Sequence, residues 1–376
     1  MSRIPHNADY TKSYNRNLIL KLLRKAPLSR ADLARTSGLT RASVSIIADE
    51  LIMQNIISEL PPAESRRGRT PLPLAICSGK YCAIGIYLNR EGCHAGIVDL
   101  DGSLLYQQPI FLPEREPLPV LQEELQKIAS LPQISENQIL GIGISAPGPL
   151  DPESGSILNP PGFSAWHHTE IARVLSQAVG KPAWLENNAC SLARHYCESN
   201  GLENALLLLV DSGIGSGVVS GGKLLYSAGG FTSELGHTTI SYNGRACSCG
   251  GKGCLEAYAA IPNLLHSSSY QNWMQLIEAV KAGEEEALFL LKEEASFLSA
   301  GITNLSNIIN VESIILTGDI CYGSDWLLPL LSQELEGKFL GSQNSRHQLV
   351  TLPVTEQLQI SAAATVVFQN FLNTYL

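Results

Sequence analysis

Two periodicities alternate along this chain. Near its start, Leu18, Ile19, Leu22 and Leu23 recur at helical spacing between polar residues, which predicts a helix from Tyr14 to Arg24 that Pro27 ends. Ser29 is placed to cap a second helix, Arg30 to Thr36, with Leu33 and Ala34 turned inward. After the turn Ser37-Gly38-Leu39, Thr40 is placed to cap a third, Arg41 to about Gln54, with Val44, Ile47, Ala48 and Leu51 on one face. Ile56 to Leu60 then reads as a strand, Ser65-Arg66-Arg67-Gly68-Arg69 as a basic hairpin tip, and Leu72 to Ile76 as the return strand. Two short helices about a glycine turn, followed by a hairpin, predict a winged helix-turn-helix over residues 1–76.

Further on, short apolar runs take over. Tyr81 to Gly102 predicts two strands about a turn, Leu118 to Leu131 an amphipathic helix, and Ile139 to Ile144 a buried strand that runs into Ser145-Ala146-Pro147-Gly148-Pro149. Asn159 to Phe163 reads as loop, with Trp166 anchoring a helix from Thr169 to Ala178. Ala183-Trp184-Leu185 is a strand ending in Glu186-Asn187-Asn188, followed by a helix from Ala189 to Cys197. Leu206 to Val210 is a strand that opens into a glycine-rich loop, Asp211 to Gly217, before a further strand at Val218-Val219. Asn263 to Ile309 reads as mostly helical, Ser313 to Asp319 as a buried strand ending in a glycine loop, and Ala362 to Leu372 as a final helix. Strands alternating with helices, with small residues at strand ends, predict an α/β body of two halves about a cleft.

Charge changes the picture at the N-terminus. The net charge is −9, but residues 1–76 carry twelve Lys/Arg against six Asp/Glu, while the remainder is strongly acidic. A basic module on an acidic body points to a polyanion partner, double-stranded DNA. Thr40, Arg41, Ser43 and Ser45 are the side chains placed to meet base edges or phosphates, with Arg30 beside them and Arg66, Arg67 and Arg69 on the wing. A helical protein-interaction module is the other reading of that spacing. No apolar run is long enough to span a membrane, and nine cysteines without a disulfide framework fit a reducing cytoplasm.

The densest chemistry lies between Glu234 and Glu256, in ELGHTTISYNGRACSCGGKGCLE. His237, Cys247, Cys249 and Cys254 form a complete ligand set for a closed tetrahedral zinc, hence a structural one, and Gly244, Gly250, Gly251 and Gly253 permit the tight turns between them.

With those residues in view, the chain resembles the ROK family of repressors and sugar kinases over nearly its whole length. GHTTI…CSCGGKGCLE resembles the family's zinc and sugar motif, GIGISAPGPLDPESGSILNPPGF its sugar-loop segment, LENNACSLA its Asn-Asp segment, and LSRADLARTSGLTRASVS with GRTPLPL the winged helix of its repressor branch. The resemblance implies a two-lobed actin/sugar-kinase-like (ribonuclease H-like) α/β fold behind the winged helix. The smaller lobe is expected over 77–190 with 360–376 and the larger over 191–359. It implies a carbohydrate in the cleft on Asn187, Asn188, Glu234, His237 and Glu256, with backbone from Ala146, Pro147 and Gly148. It also implies operator binding as a homodimer or homotetramer.

The kinase parts of the family pattern are altered. Asn188 stands where the kinases carry their catalytic Asp, and an amide cannot take the proton of an attacking hydroxyl. Ile86-Tyr87-Leu88-Asn89-Arg90 replaces the first phosphate loop, Asp211 replaces a glycine of the second, and Thr317-Gly318-Asp319 departs from the pattern near the adenine site. The expectation is a sugar-responsive repressor without kinase activity. The alternatives are an active kinase with an appended DNA-binding domain, and a constitutive DNA binder whose body only dimerises.

Overall fold

A computed structural model describes residues 8–61, 72–90, 92–135, 138–226, 233–339 and 347–374. The chain divides into two compact units, Met1–Glu186 with Glu356–Leu376, and Asn187–Thr355 inserted between them in sequence.

The first unit begins with α1 (Ala8–Lys25), β1 (Leu28–Ser29), α2 (Arg30–Ser37), α3 (Arg41–Met53), β2 (Ile57–Glu59) and β3 (Pro73–Ile76). Both predicted caps form: the Asp32 and Ser43 amides donate to Ser29 Oγ and Thr40 Oγ1, each at 3.1 Å. The three strands make one antiparallel sheet in the order β1-β3-β2. Strand β1 is an addition to the sequence reading, since two residues between Pro27 and a cap are too few to show a period. The hairpin tip Ser65–Arg69, with Arg66, Arg67 and Arg69, lies outside the described residues.

The unit continues with β4 (Cys82–Leu88), β5 (Cys93–Asp99), β6 (Leu104–Ile110), α4 (Pro117–Ala129) and β7 (Ile139–Ala146). Then come a small hairpin of β8 (Leu150–Asp151) and β9 (Ser156–Ile157), α5 (Ile171–Val179) and β10 (Ala183–Asn187). The sheet order is β10-β7-β4-β5-β6. Strand β6 escaped the pattern because it is an edge: its residues are mostly half-buried or exposed, and it contains Pro109, which an edge tolerates. Strand β4 is buried along its length, so both faces of the sheet are covered. Cys82, Ile84, Ile86 and Leu88 face a core shared with α4 and α5 through Leu121, Leu125, Ile171 and Leu175.

The opposite face carries α12 (Glu356–Thr374), which starts six residues before the predicted tail helix. A Cβ at Gly143 would collide with the Ala363 carbonyl, so the helix lies directly on the strands. Ala83 and Val98 of the sheet, Val367 and Phe368 of α12, and Ile19, Leu20 and Leu23 of α1 belong to one continuous core, and Arg24 stacks over Phe368 at 4.8 Å.

The inserted unit opens with α6 (Asn188–Asn200), β11 (Ala205–Val210), β12 (Ile214–Ser220) and β13 (Lys223–Leu224). Helices α7 (Glu256–Ala259), α8 (Ile261–Leu264), α9 (Trp273–Ala282) and α10 (Glu285–Ser306) follow, then β14 (Ser313–Thr317), α11 (Ser324–Leu335) and β15 (Gln348–Leu352). Its sheet, β13-β12-β11-β14-β15, repeats the plan of the first: an antiparallel hairpin on one side of the leading strand and a parallel neighbour on the other. The glycine-rich segment is a correction. Asp211–Gly213 is a three-residue turn, and β12 already begins at Ile214. Its glycines admit a helix: a Cβ at Gly217 would stand 2.6 Å from both the Ala189 carbonyl oxygen and the Ala193 Cβ of α6.

Candidate functional site

His237 ends a short 3-10 turn, Leu235–His237, and the three thiols follow on a compact loop that leads into α7. One ligand atom from each of His237, Cys247, Cys249 and Cys254 lies within 4.8 Å of all the others. His237 Nδ1 is 3.5 Å from Cys247 Sγ, and Cys249 Sγ is 3.7 Å from Cys254 Sγ. With Zn–S near 2.3 Å and Zn–N near 2.0 Å, a regular tetrahedron places two sulfurs roughly 3.8 Å apart and a sulfur and nitrogen roughly 3.5 Å apart. The cluster therefore has the donors and the spacing to hold a metal ion. Burial, then Cys247 and Cys249, push the Cys254 thiol up to about 12, while the Gly251 amide lowers Cys249. A cation among them removes that conflict by deprotonating the sulfurs.

The loop is framed by its backbone. Gly253 donates to the Arg245 carbonyl at 2.7 Å and Cys247 to that of Gly251 at 3.0 Å. Gly253 has φ 73°, and a Cβ there would strike the Ser241 carbonyl, so glycine is required. Two residues absent from the sequence reading fasten the loop to the helices behind it. The Arg245 guanidinium donates to the carbonyls of Ala257 (3.4 Å) and Asn263 (3.2 Å) and stacks over Tyr258 at 4.7 Å, while Tyr258 Oη accepts the Arg245 amide at 2.8 Å. The sequence signal, an arginine two places before the first thiol, is weak because its partners lie twelve and eighteen residues away.

The carboxylates flank this frame. Glu256 opens α7, and its Oε2 accepts the Ile214 amide at 3.0 Å. Glu234 is exposed as a residue, yet desolvation of its carboxyl pushes its pKa up, His237 pulls it down, and the Glu256 charge raises it again. The His237 ring turns Nδ1 to the thiols, which leaves Nε2 pointing away from them. Asn187 caps α6, its Oδ1 accepting the Ala189 amide at 2.9 Å, and Asn188 is buried in the first turn. Strand β12 joins the groups: Ala189 packs on Gly215, next to the Ile214 that holds Glu256. The inserted unit thus gathers Glu234, His237 and Glu256 about the thiol cluster, with Asn187 and Asn188 linked through β12. Ala146, Pro147 and Gly148 lie at the end of β7 in the other unit, the first two buried.

On the N-terminal module, Thr40 and Arg41 are exposed at the start of α3, and Ser43 and Ser45 are half-buried. Arg30 is engaged within the module: it pairs with Asp49 at 2.8 Å and Glu59 at 3.3 Å and donates to the Ser45 carbonyl at 3.4 Å. It braces α3 against β2.

The sequence pattern of the ROK family matches residues 83–364. The chain belongs to the ROK family. The xylose repressor of Bacillus spizizenii is 26% identical to this ROK protein over 97% of each chain. The crystal structure of a ROK family transcriptional regulator, a homolog of the E. coli MLC protein, is 25% identical, with a TM-score of 0.80 over 97% of this chain and 98% of its own. A ROK hexokinase from Thermus thermophilus is 28% identical, with a TM-score of 0.66, and covers 77% of this chain with 98% of its own. The body has the actin-like α/β fold that ROK regulators and sugar kinases share. Among the described residues no helix is long and apolar enough to cross a membrane.

Proposed function

We propose that this ROK protein is a sugar-responsive transcriptional repressor without kinase activity. One observation carries the reading: likeness to a repressor extends over 97% of the chain, whereas the hexokinase accounts for 77%. The capped α2–α3 pair, the exposed Thr40 and Arg41 and the basic charge of residues 1–76 support operator DNA as the partner. A homodimer or homotetramer suits a palindromic operator, with recognition helices about 34–36 Å apart.

In this reading His237, Cys247, Cys249 and Cys254 hold a structural zinc, and Asn187, Asn188, Glu234, His237 and Glu256 hold a monosaccharide. Zinc fixes the loop; the chemistry that recognises sugar belongs to the side chains. Carboxylates and amides suit hydroxyls that both donate and accept. Asn188 cannot act as a base, and the turn after β4 offers Asn89 and Arg90, the latter donating to the Pro161 carbonyl at 2.9 Å. To act as a switch, the sugar must prefer one DNA-binding state by a few kcal/mol.

Genomic footprinting followed by fluorescence anisotropy tests the DNA claim, and a thermal-shift panel of pentoses and hexoses tests the effector. The expected result is sequence-selective binding altered by one sugar that also stabilises the protein. Absence of any preferred sequence overturns the repressor reading. ATP-dependent phosphorylation of a panel sugar overturns the exclusion of kinase activity.

A further inference from the structure

The β11–β12 turn, Asp211–Gly213, is braced from several directions, all inside the inserted unit. The Asp211 amide donates to the Gly213 carbonyl at 3.0 Å, closing the turn. The Asp211 carbonyl accepts the Ile261 amide at 3.0 Å, which ties the turn to the start of α8, just behind the helix that Glu256 opens. The Asp211 side chain reaches the end of β14, where Oδ1 accepts the Asp319 amide at 2.7 Å. Gly318 makes room for it: a Cβ there would collide with Asp211 Oδ1 and stand 2.7 Å from the Val210 carbonyl oxygen. On its far side the turn leads into β12, whose first residue presents the Ile214 amide to Glu256 Oε2. A Cβ on Gly213 would come within 3.0 Å of that oxygen, so the turn backbone and the Glu256 carboxylate are in close contact.

We infer that Asp211 is a positioning residue for Glu256, an inference that rests on the effector reading above. Asp211 clamps the turn to β14 and α8, the Ile214 amide that follows the turn fixes Oε2 of Glu256, and Oε1 is thereby left in one orientation for a ligand hydroxyl. Without the clamp the turn and the amide move together, and the carboxylate loses its orientation while the thiol cluster stays intact. A charged residue in a glycine-rich turn thus has a task of its own, distinct from any contact with nucleotide.

The test uses the full-length zinc-loaded protein and the panel sugar that stabilises it, with affinity read by calorimetry and zinc by elemental analysis. Asp211→Ala is expected to weaken sugar binding by about tenfold or more, the scale of a lost hydrogen bond to a charged group, with zinc content unchanged. Asp211→Asn keeps the Oδ1 acceptor and is expected to stay close to wild type. Asp319→Pro removes the donor at the first position of a helical turn, where proline is tolerated, and is expected to reproduce the Asp211→Ala loss. It serves as the second route if Asp211→Ala fails to fold. In a Glu256→Gln background, Asp211→Ala is expected to cost little more, because its effect runs through Glu256. Undiminished sugar binding in both Asp211→Ala and Asp319→Pro, or costs that simply add to that of Glu256→Gln, overturns the inference alone. A wild-type protein silent across the panel overturns the effector reading and the inference with it.

Discussion

Cys249 is the most exposed of the four candidate ligands, so its replacement disturbs packing least. Cys249→Ser is expected to lower bound zinc to near zero by elemental analysis and to abolish the sugar-induced thermal shift; full sugar binding by metal-free protein would separate the two roles. Glu294 of α10 offers a different prediction. It is 0% exposed, and neither carboxylate oxygen has a hydrogen-bond partner among the described residues. Burial holds its pKa well above the ordinary range near 4.5. The raised folded-state value means that its contribution is intact below about pH 4.5 and is lost as pH rises through the folded-state pKa. Glu294→Met is expected to raise unfolding free energy at neutral pH by about 1–3 kcal/mol and to flatten the stability–pH curve above pH 4.5, as measured by urea titration. The cluster that could hold a metal was legible because its four side chains crowd into eighteen residues. Arg245, Tyr258 and the clamp on Glu256 were not, since their partners are set by how α7, β12 and β14 meet.

At the scale of elements, caps and amphipathic spacing located α2 and α3 to within a residue, because a helix satisfies its bonds locally. Strands depend on neighbours: β6 alternates only between half-buried and exposed positions, and β15 is half-buried along most of its length, so neither presents a clear apolar period. The glycines of β12 read as loop because glycine is a poor strand former, whereas the helix packed upon them settles the matter. For α3, Thr40→Ala is expected to cost about 1 kcal/mol of stability by loss of its cap, checked by denaturant unfolding. Arg41→Ala is expected to weaken operator binding and to reduce the salt slope of affinity by about one, measured by anisotropy across a salt series. An unchanged slope would remove Arg41 from the phosphate contacts.

At the scale of the molecule, the alternation of strands and helices was enough to indicate α/β. It did not reveal that the two five-stranded sheets share one plan, because the likeness lies in pairing and not in sequence period. Nor did it reveal how the N-terminal module is completed. Phe368 is fully buried in a core with Ile19, Leu20 and Leu23. Phe368→Ala is expected to cost about 3–5 kcal/mol by cavity formation and to lower operator affinity while zinc content stays at wild type, read by anisotropy and elemental analysis.

That shared core also sets a schedule for synthesis. The residues that begin it and those that complete it are separated by the whole inserted unit, Asn187–Thr355. The ribosome therefore releases α12, which closes the core against α1, only after the unit that holds the thiol cluster has been made. A chain halted part-way keeps the packing among α1, α2 and α3 but leaves the side of α1 that meets α12 open to water.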